Sequence, residues 1–534
     1  MKIKSCLLPK LIRKDSHVKR SRQTVFGGLS SNPDASSHEI TAMAGMSPLS
    51  YPALGTGERR FRYETNTSGN PHGIFHHRHL VMARGDRLYT LTKEGVLGAL
   101  ATVSDTDKTF AAFGSYLFVF PDGICYHVES GTVRPLSVDT GFLPDAHLGS
   151  NYVTYAAMDW SKAGFYPGDG VQVCVKNYIL GSVSTFTCKV SGMTVGTLFL
   201  DTTFEMTGDY DISVSRFVPE MTHLCALGDR LLGCHGNTVY LSEAGNPFNW
   251  IARYGDGRDP VILETSGAGD FTACAVYQDR GVFFKEDHIY QMFGSGADDY
   301  VLSDLVAPGV AAGSARSLCE VGGRLYYLSN GGVYSFDGEY PVFTGEALPY
   351  GLTDGVGGTD GVCYYLSAHR GDGVYQMYAC HAERGMWYVR DRLPAASMTQ
   401  WEDMLFIQTI TGDVLRYARP GESLPKNQAL ITETASAFPS MVSFGEELGG
   451  GPDGLRLHGV YLRAQGEANA VLTVEVAYDG EDRWEQIGIV RGEVKGWVRL
   501  PLYPRRAESY RLRLVMTGEW RISEITCEYE PGKQ

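Results

Sequence analysis

The chain has 534 residues, room for about three to four domains at ~150 residues each, and its 43% hydrophobic and 20% charged residues exclude a disordered chain. A formal net charge of −14 and a pI near 5.5 exclude broad, sequence-independent wrapping of duplex nucleic acid, which needs a basic face. No run approaches ~18 apolar residues, so no transmembrane helix and no membrane insertion are expected. Sixty-four glycines and 31 tyrosines point instead to many short strands joined by tight turns.

The first segment, 1–60, reads as an N-terminal arm. It opens with a basic stretch carrying Lys2, Lys4, Lys10, Arg13, Lys14, Lys19, Arg20 and Arg22 against a single Asp15. Such a stretch is by default a flexible terminus. The sharper expectation makes Lys10, Arg13, Lys14, Lys19, Arg20 and Arg22 candidate contacts to a partner or to DNA. The apolar stretch Cys6-Leu7-Leu8-Pro9 is too short for a secretory h-region, so export by the usual signal is not expected.

From residue 61 a hairpin pattern recurs: a small or acidic turn, an apolar run with aromatics, a second Gly or Asp turn, and another apolar run. Seven copies begin at Gly85, Gly114, Gly228, Asp279, Gly322, Asp360 and Glu402. The last five are separated by steps of 51, 43, 38 and 42 residues. A period of ~40–50 residues with four short strands per unit is the signature of a β-propeller. Each hairpin is read as alternating apolar and polar, the period of a half-buried strand. The predicted propeller spans 61–136 and 220–420 and has about seven blades.

The step from 114 to 228 is too long for one blade. Residues 137–219 therefore read as an inserted small β-barrel, with Pro167-Gly168-Asp169-Gly170 as strong turn chemistry. A Gly-, Ser- and Pro-rich connector is expected over 421–454. Over 455–529 Arg alternates with Leu, as in Leu455-Arg456-Leu457 and Arg511-Leu512-Arg513-Leu514, which predicts strands with one buried face in a C-terminal β-sandwich. The fold class is all-β throughout.

Chemistry-bearing motifs are sparse. There is no Gly-x-x-x-x-Gly-Lys-Ser/Thr, no helix-opening Gly-x-Gly-x-x-Gly, no Gly-x-Ser-x-Gly and no His-Glu-x-x-His. His72, His76, His77 and His79 lie close together, but strand alternation turns His76 away from His77 and His79, so no metal site is assigned. Asp479-Gly480-Glu481-Asp482-Arg483-Trp484 resembles a sialidase-type turn repeat but occurs once, and reads as a hairpin turn. The 11 cysteines include no Cys-x-x-Cys and lie mostly in apolar runs, as expected of buried free thiols formed in a reducing compartment. No catalytic residue, metal or cofactor is expected, and no enzymatic activity.

Three segments carry a resemblance. Ala244-Gly245-Asn246-Pro247-Phe248-Asn249-Trp250 is followed by a strand pair containing Phe284, Lys285 and Tyr290, and Phe26-Gly27-Gly28-Leu29 precedes Tyr51-Pro52-Ala53-Leu54. Together they resemble the tail nozzle proteins of short-tailed bacteriophages, related to packaged-DNA stabilisation proteins, in the prophage form of Gram-positive hosts. The resemblance covers about 22–420 and, weakly, the C-terminal domain. It implies a structural virion protein, assembled in the host cytoplasm, that forms a homo-oligomeric ring, a hexamer, below the portal and adaptor. That ring would extend the DNA channel and retain packaged duplex until ejection, contacting portal, adaptor and other tail proteins. The alternatives are a tail protein whose sandwich binds host-surface glycan, and a propeller glycosidase with a carboxylate pair.

Overall fold

The computed structural model describes residues 18–531 apart from 177–181, 254, 256, 420, 424–429, 435–438 and 449–453. The architecture is all-β. Among the described residues the only helical turns are two 3₁₀ segments, Pro48–Ser50 and Ala315–Ser317.

Seven antiparallel sheets, six of four strands and one of five, form a propeller. In chain order the blades are 71–102 (blade 1), 109–135 (blade 2), 223–264 (blade 3), 273–306 (blade 4), 319–343 (blade 5), 353–391 (blade 6) and 395–417 (blade 7). Blade 7 is completed from the other end of the chain: Arg60–Tyr63 pairs antiparallel with Val414–Tyr417, with Tyr63 opposite Val414. Ile431–Thr434 then pairs with the outer side of Arg60–Tyr63. One early strand thus locks the ring, leaving no open gap between the first and last blades.

Each predicted hairpin falls in one blade. Six are the second and third strands of blades 2 to 7; the first is the third and fourth strands of blade 1, Arg87–Leu91 and Leu97–Thr102. The expected alternation does not hold in the second strands. In Arg324–Ser329 the residues Leu325, Tyr326, Tyr327 and Leu328 are all buried, and Met404–Thr409 is buried throughout. A blade is covered by a neighbour on each face, so its middle strands lose both solvent faces. The tight turns follow from backbone geometry. Gln278 and Asp279, and in the next blade Gly322 and Gly323, all have positive φ, the requirement of a two-residue hairpin turn that keeps the strand twist.

The insertion is a closed barrel. Leu143–Leu148, Tyr152–Asp159, Val183–Leu200, Gly170–Lys176 and Gly208–Arg216 pair in sequence, and the last returns to the first; Val138–Asp139 joins the edge. It holds its own core, including Trp160, Phe165, Val173, Leu198 and Val214.

The C-terminal unit is a two-sheet sandwich, but its strands come from both ends of the chain. One sheet orders Lys19–Gln23, Trp520–Pro531, Leu455–Gly466 and Val494–Pro501, with Leu54–Gly55 on Trp520–Pro531. The other orders Ile40–Ala44, Ser440–Phe444, Ser509–Thr517, Val471–Tyr478 and Glu485–Arg491. The arm expected over 1–60 and the connector expected over 421–454 therefore supply strands: Lys19–Gln23, Ile40–Ala44, Leu54–Gly55 and Ser440–Phe444 belong to the sandwich, and Ile431–Thr434 to blade 7. The predicted Arg/Leu alternation is present: Leu457 and Leu514 are buried, while Arg513 pairs with Glu475 and Arg511 with Asp482 on the outer side. The sandwich core runs on without a break into blades 5 and 6, through Leu328, Tyr364, Tyr378 and Trp387.

Candidate functional site

The three resemblance segments are not brought together. Each sits at a different junction: two fix one module on the next, and one fixes a blade on its neighbours.

The segment 243–250 is the seat of the barrel. Gly245 adopts φ +75°, which favours glycine, and its N–H donates to the Asp229 carbonyl at 2.7 Å. The loop then folds around the buried carboxylate of Glu243. Asn246 and Asn249 each donate to it at 3.0 Å, and Lys189 of the barrel donates at 3.2 Å. Asn246 also donates to the barrel's Gly168 carbonyl at 2.8 Å. A Cβ at Gly170 would stand 1.9 Å from the Asn249 side-chain oxygen, so the barrel turn must be glycine there. The Pro247 carbonyl accepts from the Trp250 indole at 3.0 Å and stiffens the loop. Beneath it Phe248 lies edge-on to Tyr116 of blade 2, with the Arg134 guanidinium 3.3 Å above its ring. On the barrel side fully buried Arg216 pairs with Asp169 and donates to the carbonyls of Pro135 (2.6 Å), Leu136 (2.7 Å) and Gly164 (2.9 Å).

The second segment staples blade 4 to blade 3. Lys285 is only 1% exposed, and its ammonium donates to the Asn237 side-chain oxygen at 2.5 Å and to the Gly267 carbonyl at 2.7 Å. The rings of Phe271 and Tyr290 flank it at 5.2 and 5.6 Å. Burial holds its pKa below the usual lysine value. Phe284, fully buried, packs 5.2 Å from Tyr327 of blade 5.

The third segment straps the sandwich to blade 6. Phe26 is buried in the sandwich core 6.3 Å from Phe444. A Cβ at Gly28 would come within 2.4 Å of the Trp387 carbonyl, and beyond it the Leu29 N–H donates to that carbonyl at 2.7 Å. A Cβ at Gly27 would stand 3.9 Å from the Met386 sulfur.

Of the candidate DNA contacts, Lys10, Arg13 and Lys14 lie outside the described residues. Lys19, Arg20 and Arg22 lie in a sandwich strand, where Arg20 pairs with Glu528 at 2.6 Å and Arg22 with Glu524 at 2.5 Å. Those carboxylates already neutralise two of the three cations.

Sequence reasoning missed the propeller axis. The innermost strands enclose a cavity of about 410 Å³. Arg316, in the turn before blade 5, reaches across it, donating to the carbonyls of Ala396 and His72 at 2.8 Å each and of Lys108 at 3.3 Å. One side chain thereby ties blade 5 to blades 7, 1 and 2 and bars the passage. No local pattern marks it, because its partners are backbone carbonyls distant in sequence. Arg59 was missed for the same reason. It binds Glu519 and Glu467 at 2.6 Å and Glu433 at 3.5 Å between propeller and sandwich, where it separates clefts of about 330 and 570 Å³.

Two of the four clustered histidines make structural contacts. His72 bonds Asp105 at 2.5 Å and Asp107 at 3.2 Å, and His76 stacks on Trp401. Among the described residues no group of three or more His, Cys, Asp or Glu is placed to hold a metal ion, and the ten described cysteines are free thiols. Asp479 and Gly480 have positive φ, and Asp479 accepts from the Glu508 N–H at 2.6 Å, the geometry of a hairpin turn.

No protein-family model matches the chain, and no curated protein matches it. Solved structures that resemble it are propellers of low identity. BamB from Moraxella catarrhalis is 11% identical with a TM-score of 0.35, over 76% of this chain and 99% of its own. Hsv2 from Kluyveromyces lactis is 7% identical with a TM-score of 0.24, over 82% and 99%. PorZ, a surface component of the type-IX secretion system of Porphyromonas gingivalis, is 10% identical with a TM-score of 0.28, over 89% and 75%.

Proposed function

We propose that this chain is a structural subunit of a bacteriophage tail. In this reading copies assemble into a ring below the portal and adaptor, and the ring continues the DNA channel and retains packaged duplex until ejection. The observation that carries the reading is the use of the resemblance residues. The segments 26–29 and 245–250 join modules and 284–290 joins neighbouring blades, so barrel, propeller and sandwich form one stiff body, as a subunit under the pressure of packaged DNA requires.

The outer edges of the blades support self-assembly. Blade 6 is covered by the strap at Trp387, and blade 7 by Ile431–Thr434. Among the described residues no further strand pairs with the outer strands of blades 3, 4 and 5, which carry exposed Ile262, Val301, Val306 (71%) and Val342, with Tyr350 (87%) beyond. Consecutive apolar edges of this kind are association surfaces. Duplex would run between copies, since a 410 Å³ cavity crossed by Arg316 cannot pass a helix whose major groove alone is ~12 Å wide. A net charge of −14 suits a wall along which DNA slides without sticking.

The test is the solution mass of the purified protein, alone and mixed with the portal–adaptor complex of the same genome. The reading expects a monomer that closes into a ring on that complex. A protein that stays monomeric and ignores the complex overturns it.

A further inference from the structure

The outward face of one sandwich sheet carries a constellation that ring assembly does not use. Lys19–Gln23, Trp520–Pro531, Leu455–Gly466 and Val494–Pro501 lie side by side there. Strand pleating sends alternate residues to opposite faces, so the register arranges the outward ones in rows. One row is Glu524, Arg463 and Trp497; the next is Arg22, Thr526, Tyr461 and Arg499; the third is Arg20, Glu528 and Gly459. Between them Val460, Leu462, Ile525 and Cys527 turn inward and are buried. Gly459 leaves its position in the third row empty, and the Tyr461 ring passes 3.5 Å from where a Cβ would stand. The result is a trough of about 410 Å³ between Arg20, Arg22, Tyr461 and Trp497, within the size range of small-ligand sites, with Arg463 and Arg499 beside it as the strand neighbours of Trp497 and Tyr461.

Its chemistry is mixed in a particular way. Trp497 is 57% exposed and is the one large apolar side chain exposed in these rows. A single indole plane is too little apolar area for a protein interface core, but it is the size of one face of a pyranose ring. Around it stand donors and acceptors at fixed strand spacing, ~4.8 Å apart. Glu524 and Glu528 are sunk, with side chains 6% and 15% exposed. Arg22 lowers the pKa of Glu524, and the Tyr461 hydroxyl, donating at 2.8 Å, lowers that of Glu528. Both are therefore ionised acceptors fixed in place, Glu524 by both arms of the Arg22 fork and Glu528 by Arg20 and Tyr461. The charge does not balance: four arginines face two carboxylates, and Arg463 and Arg499 form no ion pair among the described residues. Guanidinium groups in this setting favour a planar or tetrahedral anion.

We infer that this face binds an acidic oligosaccharide, with a sugar ring stacked on Trp497, its anionic group at Arg499 and Arg463, and its hydroxyls on Glu528, Glu524 and Tyr461. The inference is independent of the ring reading. A carboxylate-bearing and a phosphodiester-linked sugar chain share this chemistry, and the experiment separates them.

The full chain would be titrated calorimetrically with an oligogalacturonate, a glycerol-phosphate oligomer and a neutral cello-oligosaccharide of equal length. One acidic probe is expected to bind at least tenfold more tightly than the neutral one, and which of the two binds names the source. Trp497→Ala should weaken that binding about tenfold without moving the thermal unfolding midpoint, and Trp497→Tyr should restore most of it. The pair Arg463→Ala with Arg499→Ala should abolish the preference for acid and flatten the salt dependence. Failure of both acidic probes to bind, equal binding of the neutral one, or indifference to Trp497→Ala would overturn the inference. So would a change in solution mass on Trp497→Ala, which would make the face a contact between copies.

Discussion

The barrel and the sandwich are both appendages of the propeller, yet they are attached in opposite ways. The barrel is one continuous stretch that leaves and returns at neighbouring points, since Val138 pairs with Arg216. It keeps its core to itself and meets the propeller through ions and amides: Asp169 with Arg134 of blade 2, Arg216 with the carbonyls of Pro135 and Leu136, Lys189 with Glu243, and the side chains of Asn246 and Asn249. The sandwich takes strands from both chain ends and shares one apolar core with blades 5 and 6. A polar seat fixes direction with few contacts, because each bond has a required geometry. An apolar seat fixes by area and cannot be peeled away without exposing both partners.

The largest effect that sharpens this contrast is deletion. Removing residues 19–58 should abolish cooperative unfolding of the whole chain, because it strips strands from both sandwich sheets and the strap from blade 6. Replacing 139–215 by a short Gly linker should leave propeller and sandwich with a single cooperative transition in urea. Comparable losses from both deletions would break the contrast. Next come two buried side chains. Trp387→Ala should cost about 3–5 kcal/mol of global stability in urea unfolding. Arg216→Ala, which leaves the buried Asp169 carboxylate only the Tyr166 N–H at 2.9 Å and Arg134 at 3.6 Å, should cost at most about 3–5 kcal/mol, concentrated in the barrel and read as hydrogen exchange faster there than in the blades. A smaller effect tests the frame that both appendages share. Burial lowers the pKa of His223, on the innermost strand of blade 3, to about 4. The unfolded chain takes up that proton near pH 6.5 and the folded one only near pH 4, so stability falls as pH drops through this window. The loss reaches about 3 kcal/mol at most, and His223→Gln should remove that part of the pH dependence in paired denaturation curves. The smallest effect is Asn246→Ala, about 1–2 kcal/mol, seen as a looser barrel by small-angle scattering with the propeller unchanged.

What the sequence discloses follows from how local the determinants are. The seven hairpins were legible because their turns need glycine or an acidic residue beside apolar runs, all within about 15 residues. The barrel was legible as a break in that spacing, and the sandwich as Arg/Leu alternation. Lys19-Arg20-Ser21-Arg22-Gln23 looked like a solvated basic arm because its apolar partners and its carboxylates, Glu524 and Glu528, lie some 500 residues away. The motif residues were legible as a pattern, but their task as joints was not. Arg216, Arg316 and Arg59 left no sign at all, because a lone arginine looks the same whether it bridges modules or points into water.

The strand that closes blade 7 has a consequence for synthesis. Arg60–Tyr63 emerges from the ribosome early, whereas its partner Val414–Tyr417 follows some 350 residues later. At ~5–20 residues per second that edge waits roughly 20–70 s before the ring can shut. Its make-up suits the wait: Arg60 and Arg62 alternate with buried Phe61 and Tyr63, and a charge at every second position discourages pairing with a neighbouring nascent chain on the same message.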